Sequence, residues 1–114
     1  MTSATELYGR WINELWAGKQ VADEVVSDSF VGHWPDRVIH GPTELAAIVR
    51  ETREMMADLN FVMEVEPFVD GDLIAARWIG TGAAKDGPKR FTGNDILRFA
   101  DGRFVEYWTG TSTG

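Results

Sequence analysis

The chain has no cysteine. That excludes disulfides, zinc–thiolate centres and thiol nucleophiles. It has two histidines, His33 and His40, and no carboxylate–histidine spacing on a helix face, so no metal-ligand set is expected. No serine sits in a glycine-rich elbow, and Gly80-Thr81-Gly82 lacks the Lys-Ser/Thr ending of a phosphate loop. No run of about 18 apolar residues offers a membrane span. The polar start passes quickly into a helix pattern, so no signal peptide is expected, and the cytoplasm is the default location. Positive charge is in short supply: 11 Lys and Arg stand against 18 Asp and Glu, a formal net charge of −7. This balance disfavours nucleic acid and anionic membranes as partners, both of which need basic surface. Its plainest role is solubility.

What remains is a chain of 114 residues, enough for one domain, residues 1–114, with a core of its own. Five tryptophans are many for this length, and rings so large are rarely all buried; some are expected to line a pocket or a subunit contact. Ser3 to Gly18 reads as one amphipathic helix. Ser3 and Glu6 form a capping box, Leu7, Tyr8, Trp11, Ile12, Leu15 and Trp16 recur on one stripe, and Gly18 is the stop. Val21–Val26 reads as a short second helix. Phe30–Trp34 and Val38–His40 form a small ribbon around Pro35. Gly41-Pro42 opens a third helix, with proline in the first turn, where its missing N–H costs nothing. From Asn60 the period is that of strands: Phe61–Val69, Leu73–Ala83 and then a terminal hairpin. Helices first and strands afterwards define an α+β class, with three N-terminal helices packed on a curved, mainly antiparallel sheet.

The terminal hairpin, Phe91 to Trp108, organises the rest. Asp101-Gly102 is its turn, because glycine takes a positive φ without steric cost. A two-residue loop would set Asp95 opposite Trp108. A three-residue loop, Ala100 to Gly102, would set it opposite Tyr107, and glycine at the end of the loop favours that register. Tyr107 and Thr109 would then share a face with Asp95, while Arg98, Phe104, Glu106 and Trp108 would lie on the other. A carboxylate in so apolar a hairpin must be hydrogen-bonded, neutral or facing a cavity. Two readings follow for Asp95: a pocket acid of raised pKa, or a structural carboxylate capped by Arg77 or a backbone N–H.

Several motifs carry a family resemblance across the whole chain. They are Trp11 to Gly18, Phe30-Val-Gly-His-Trp-Pro35, Gly41-Pro42, Arg77-Trp-Ile-Gly-Thr-Gly82, Phe91-Thr-Gly93 and Arg98 to Trp108. In this order and spacing the chain resembles the nuclear transport factor 2-like superfamily. Within it the chain is most similar to the SnoaL-like polyketide cyclase group, with ketosteroid isomerases as relatives. The resemblance implies a cone-shaped barrel of helices and curved sheet, with an apolar pocket at its wide end, and a homodimer through the outer sheet face. The implied chemistry is cofactor-independent proton transfer next to a carbonyl, giving isomerisation, cyclisation or dehydration of a small apolar or polycyclic, polyketide- or steroid-like, molecule.

Position by position, Asp95 matches the strand position of a hydrogen-bond-donating Asp in the isomerases, and His33 falls near their general base. Trp11 takes the place of an oxyanion-hole tyrosine, and the acid/base Asp of the cyclases matches Thr109. Arg77 matches the arginine of the superfamily's epoxide hydrolases, but Ile79 and Thr109 replace their carboxylates, which argues against that activity. The expected catalytic pair is therefore His33 and Asp95, and the expected substrate contacts are Trp11, Trp34, Arg77, Tyr107 and Thr109. His33 has a plainer alternative, a hydrogen-bonded ring at the rim of the ribbon, and Asp36 reads as a solvated turn carboxylate. Trp78 and Trp108 are candidates for the face toward a second subunit. Two rival functions remain: a binding domain without chemistry, favoured by Thr109, and an interaction module that uses the open sheet face.

Overall fold

The computed structural model describes residues 3–113. Ser3 opens helix α1 (Ala4–Arg10) with a reciprocal cap: its hydroxyl accepts from the Glu6 N–H at 3.1 Å, and Glu6 Oε1 accepts from the Ser3 N–H at 3.3 Å. This satisfies donors that a first turn leaves orphaned. The helix does not continue as α to Gly18. From Trp11 to Leu15 it widens into a π-helical turn, where the Trp16 N–H donates to the Trp11 carbonyl at 3.1 Å and the Lys19 N–H to that of Glu14 at 3.0 Å. In an α-helix, positions five apart point about 140° away from each other. The wider turn brings the Trp11 and Trp16 rings together edge to face, 6.2 Å between centroids, on the inner side.

Helix α2 is short (Ala22–Val25). Val26, expected at its end, instead begins strand β1 (Val26–Trp34), and is buried. Then come β2 (Arg37–His40), α3 (Gly41–Met55), β3 (Ala57–Asp70), β4 (Leu73–Ala84), β5 (Gly87–Ala100) and β6 (Arg103–Thr113). Pro42 lies in the first turn of α3, as expected. All six strands form one sheet in the order β2-β1-β6-β5-β4-β3. Each neighbouring pair is antiparallel except β1 and β6, which run parallel. The early ribbon is thus joined edge-on to the late meander rather than standing apart. The α+β architecture is the expected one, but the sheet stays open, with β2 and β3 as free edges. The helices cover its inner face, where Leu7, Tyr8, Trp11, Leu15, Leu45 and Ile48 pack against Phe30, Ile74, Leu97, Phe104 and Tyr107.

The terminal hairpin follows neither expected register. Asp101 (φ 52°) and Gly102 (φ 81°) both take positive φ, and Ala100 pairs with Arg103, so the loop has two residues. That is the mirror-image turn whose twist suits a hairpin. Phe99 pairs with Phe104 and Arg98 with Glu106, leaving Val105 as a bulge. Beyond the bulge, Asp95 faces Thr109 and Leu97 faces Tyr107. The extra residue lets both Phe104 and Tyr107, three apart, point inward and become buried. Phe104 therefore belongs to the core and not, as expected, to the outer face.

On the outer face one row of directly paired residues crosses every strand: Val38, His33, Trp108, Ile96, Ala75 and Phe68. Of these Val38, Ile96 and Phe68 are well exposed.

Candidate active site

Odd-numbered positions of β5 point to the inner face, and among them Asp95 is 1% exposed. Its carboxyl is the meeting point of three donors from three elements. The Tyr107 hydroxyl (β6) donates to Oδ1 at 2.7 Å, Trp78 Nε1 (β4) donates to the same oxygen at 3.0 Å, and the Tyr8 hydroxyl (α1) donates to Oδ2 at 2.8 Å. The Trp78 contact depends on a glycine. Trp78 and Gly93 are paired across β4 and β5, and a Cβ on Gly93 would lie inside the indole. With no side chain there, the ring lies flat on the sheet and its N–H reaches Asp95.

Burial pushes the Asp95 carboxyl above its ordinary range, and the hydrogen bonds from Trp78, Tyr107 and Tyr8 pull it back. Tyr8 and Tyr107 are both raised, first by burial and then by the Asp95 charge, so both phenols stay protonated. Trp11 Nε1 faces the same carboxyl without reaching hydrogen-bond geometry, and Thr109 Oγ1 lies beside Tyr107 on the same terms. Both atoms are buried without a partner.

This cluster forms the floor of a cavity of about 1030 Å³. Trp11, Trp34, Tyr107 and Thr109, four of the expected substrate contacts, line it together with Asp95. Trp34 meets Tyr107 edge to face at 5.1 Å. Trp16, Phe61, Trp78 and Phe91 complete the aromatic wall. Lys89, Arg90, Thr111 and Ser112, all exposed, also line it.

Two expected site residues are elsewhere. Gly32 pairs with Tyr107 and His33 with Trp108, so alternation turns His33 to the outer face. There its ring stacks on Trp108 (5.6 Å, 16°) and Nε2 donates to Glu106 Oε2 at 2.8 Å. His33 does not share the cavity with Asp95, and the expected pairing of the two is corrected accordingly. Arg77 is also outward, bonded to Glu64 and to Asn94 Oδ1, and neither lines the cavity nor caps Asp95. Conversely Trp78, expected on the outer face, is inside. Tyr8, Trp78 and Lys89 were missed as site residues. The signal for Trp78 was there: a two-residue turn at Lys85-Asp86 puts Ala76 opposite Asp95 and Trp78 on the same face. Among the described residues no group of three or more His, Asp or Glu could hold a metal ion, and no helix is long and apolar enough to cross a membrane.

Three helices on a curved, open, mixed sheet, with an aromatic hollow between them, define an α+β domain of the nuclear transport factor 2-like kind. The model of the SnoaL-like domain matches residues 9–107, and the chain belongs to that family. A crystal structure from Bacillus cereus ATCC 10987, of a protein assigned as a polyketide cyclase, is similar at 25% identity and a TM-score of 0.84, covering 94% of this chain and 72% of that one. IdmH from Streptomyces antibioticus, also assigned as a polyketide cyclase, aligns at 18% identity and a TM-score of 0.83, covering 97% and 93%. A nuclear transport factor 2-like protein of unknown function from Exiguobacterium sp. 255-15 aligns at 22% identity and a TM-score of 0.76, covering 93% and 98%. No curated protein matches the chain.

Proposed function

We propose that the protein is a cofactor-independent, cyclase-type enzyme that moves a proton next to a carbonyl of an apolar or polycyclic molecule held in the cavity. Membership of the SnoaL-like family and likeness to proteins assigned as polyketide cyclases support the class. The observation that carries the reading is Asp95, a buried carboxyl with raised pKa at the floor of an aromatic cavity. A carboxyl shifted toward neutral pH suits general acid–base work. Asp95 takes the proton from the carbon α to the carbonyl. The enolate oxygen so formed accepts from the partnerless Trp11 N–H and Thr109 hydroxyl. In a cyclisation the enolate carbon bonds to a second carbonyl carbon, and Asp95 returns its proton to the new alkoxide. Protons balance, and one carboxyl serves both steps.

A second reading has its own support. Asp95 already accepts three hydrogen bonds from the protein, and among the described residues that line the cavity there is no imidazole and no other side-chain carboxyl. Those features fit a binding domain in which Asp95 holds the walls together. Exchange of the α-protons of 2-tetralone in deuterium oxide, followed by NMR, separates the two. Accelerated exchange that is lost in Asp95→Asn is the expected result. Binding of the ketone with no accelerated exchange would favour the second reading.

A further inference from the structure

Three of the sequence motifs set a glycine two places from an aromatic residue: Gly32-His33-Trp34 on β1, Trp78-Ile79-Gly80 on β4 and Phe91-Thr92-Gly93 on β5. Two places along a strand is one face, and all three glycines are buried on the inner face of the sheet. Strands β4 and β5 interlock there. Trp78 is paired with Gly93, and Phe91 with Gly80. Each ring lies over the glycine of the partner strand, and the two rings cross at 86° with centroids 5.7 Å apart. Trp34 lies over Gly32 of its own strand. A Cβ on Gly80 would fall 2.8 Å from Phe91 Cε2 and 3.1 Å from Phe61 Cε1, and one on Gly32 2.6 Å from Trp34 Cζ3. None of the three glycines takes a positive φ, unlike Gly41, Gly71 and Gly102. The backbone therefore does not require glycine at these places, and glycine inside a strand weakens it. What it supplies is room for a ring to settle onto the sheet.

The rings so lowered, Trp34, Phe61, Trp78 and Phe91, line the cavity. With Tyr107 and Asp95 they make its sheet wall continuous from β1 through β6, β5 and β4 to β3, about 19 Å measured along the sheet at the usual strand spacing. Trp11, which is fully buried, presents an Nε1 without a partner in the same hollow.

We infer that Gly32, Gly80 and Gly93 are specificity-determining residues: they set the clearance above the sheet, so that the cavity admits a flat fused polycycle of more than two rings. The inference rests on the reading of the cavity as a small-molecule site, but not on chemistry at Asp95. Carbon atoms pack at about 3.5–4.0 Å, so an alanine methyl on Gly80 moves the Phe91 ring about 1 Å off the sheet, toward the cavity. Packed surfaces leave gaps of less than about 1 Å, and a large flat ligand has no slack to absorb that shift. A two-ring ligand finds room elsewhere along the same wall.

Two flat, uncharged ketones test this, 2-acetylnaphthalene with two rings and 1-acetylpyrene with four. Binding is read by quenching of tryptophan fluorescence, and cooperative urea unfolding shows that each variant is folded. The wild type should bind acetylpyrene about 10-fold tighter, because more apolar surface leaves water. Gly80→Ala should weaken acetylpyrene by about 10-fold and leave acetylnaphthalene within about twofold. Adding Phe91→Leu to Gly80→Ala removes the ring that the methyl meets and should restore most of the lost affinity. Gly32→Ala should act in the same direction from the β1 side. Gly110→Ala is the control: this glycine is also in a strand without a positive φ, nothing lies within 4 Å of the place of its Cβ, and both affinities should stay as in the wild type. The inference is overturned if Gly80→Ala weakens both ketones alike or neither, if Phe91→Leu restores nothing, or if the wild type does not bind acetylpyrene. A protein that sorts the ketones by size but accelerates no exchange keeps this inference and loses the proton-transfer reading. One that accelerates exchange while Gly80→Ala treats both ketones alike does the reverse.

Discussion

Trp78 lies across Gly93, its partner on the neighbouring strand, and from there its Nε1 donates to Asp95 Oδ1 at 3.0 Å. A missing side chain on one strand therefore sets the hydrogen bonding of a carboxyl two residues further along. Gly93→Ala tests the dependence. The added methyl must lift the indole, which breaks the bond to Asp95 and disturbs the edge-to-face contacts of Trp78 with Phe61 and Phe91. Overpacking costs about 1–3 kcal/mol, and an unsatisfied buried acceptor about as much again. Urea denaturation should show a loss within the sum of those ranges. A loss below about 0.5 kcal/mol, the scale of an ordinary surface change, would mean that the ring is not held there.

Asp95 also predicts a direction of pH dependence. Burial raises its pKa in the folded chain above the ordinary 3.8. Below that ordinary value folded and unfolded chains both carry the proton, and the contribution of the group to stability is complete. As pH rises through the folded-state pKa the native protein must bury a charge, and that contribution is lost. Asparagine keeps the shape and does not titrate. The stability of the wild type relative to Asp95→Asn should therefore be greatest in acid and decline as pH rises from about 4 toward neutrality. Urea unfolding of both proteins across that range reads it directly, and a difference that stays constant with pH would show that Asp95 titrates alike in the two states. The tyrosines act with the same sign at the alkaline end. Tyr8 and Tyr107 are raised above 10.0, so Tyr8→Phe should lose less stability than the wild type above that pH.

Local chemistry was legible in the sequence wherever it is self-contained. The Ser3–Glu6 cap, Pro42 opening α3 and the Asp101-Gly102 turn each depend on a few adjacent residues. The sharing of one face by Asp95, Tyr107 and Thr109 was also legible, because alternation survives within an unbroken stretch of strand. What could not be read was parity across an irregularity. The Val105 bulge exchanges faces for everything before it, which moved Phe104 inside. His33 depends on its parallel pairing with β6, a contact between distant parts of the chain, and a one-residue shift turns every side chain over. The π-helical turn at Trp11 exists because two indoles five apart both pack inward, which helical periodicity alone does not contain.

His33 provides a test of the site's boundary. Its imidazole is partly exposed, paired with Glu106 and stacked on Trp108, with the Arg98 guanidinium over the same indole at 5.7 Å. Exposed ion pairs contribute about 0–1 kcal/mol. His33→Ala should lower stability by no more than about that amount and leave 2-tetralone binding and α-proton exchange within about twofold of wild type, about 0.4 kcal/mol. Abolished exchange in a folded variant would return His33 to the mechanism and overturn the assignment of its face.

The row from Val38 to Phe68 crosses the whole outer face, and its most exposed members are apolar: Phe68 at 62%, Val38 at 51% and Ile96 at 45%. Both charge signs flank it, in the pairs Arg98–Asp72, Arg98–Glu106 and Arg77–Glu64. A surface carrying both signs beside one apolar ridge can complement its own copy across a two-fold axis, since each cation of one subunit can meet an anion of the other. We propose a second copy of this chain as the partner of the face. A specific dimer needs about 800 Å² from each subunit, more apolar at its centre than at its rim. Ile96 lies at mid-sheet, paired with Ala75 on one side and Trp108 on the other, so a charge there would be buried without a partner at the middle of such a contact. Analytical ultracentrifugation should give twice the chain mass for the wild type and the single chain mass for Ile96→Glu, with the melting of the monomeric variant still cooperative. His33→Ala, at the same row but partly screened by Glu106, should weaken the dimer less. A wild type that sediments as a monomer at all concentrations would leave the ridge to a different protein, and an Ile96→Glu variant that stays dimeric would place the contact on another surface.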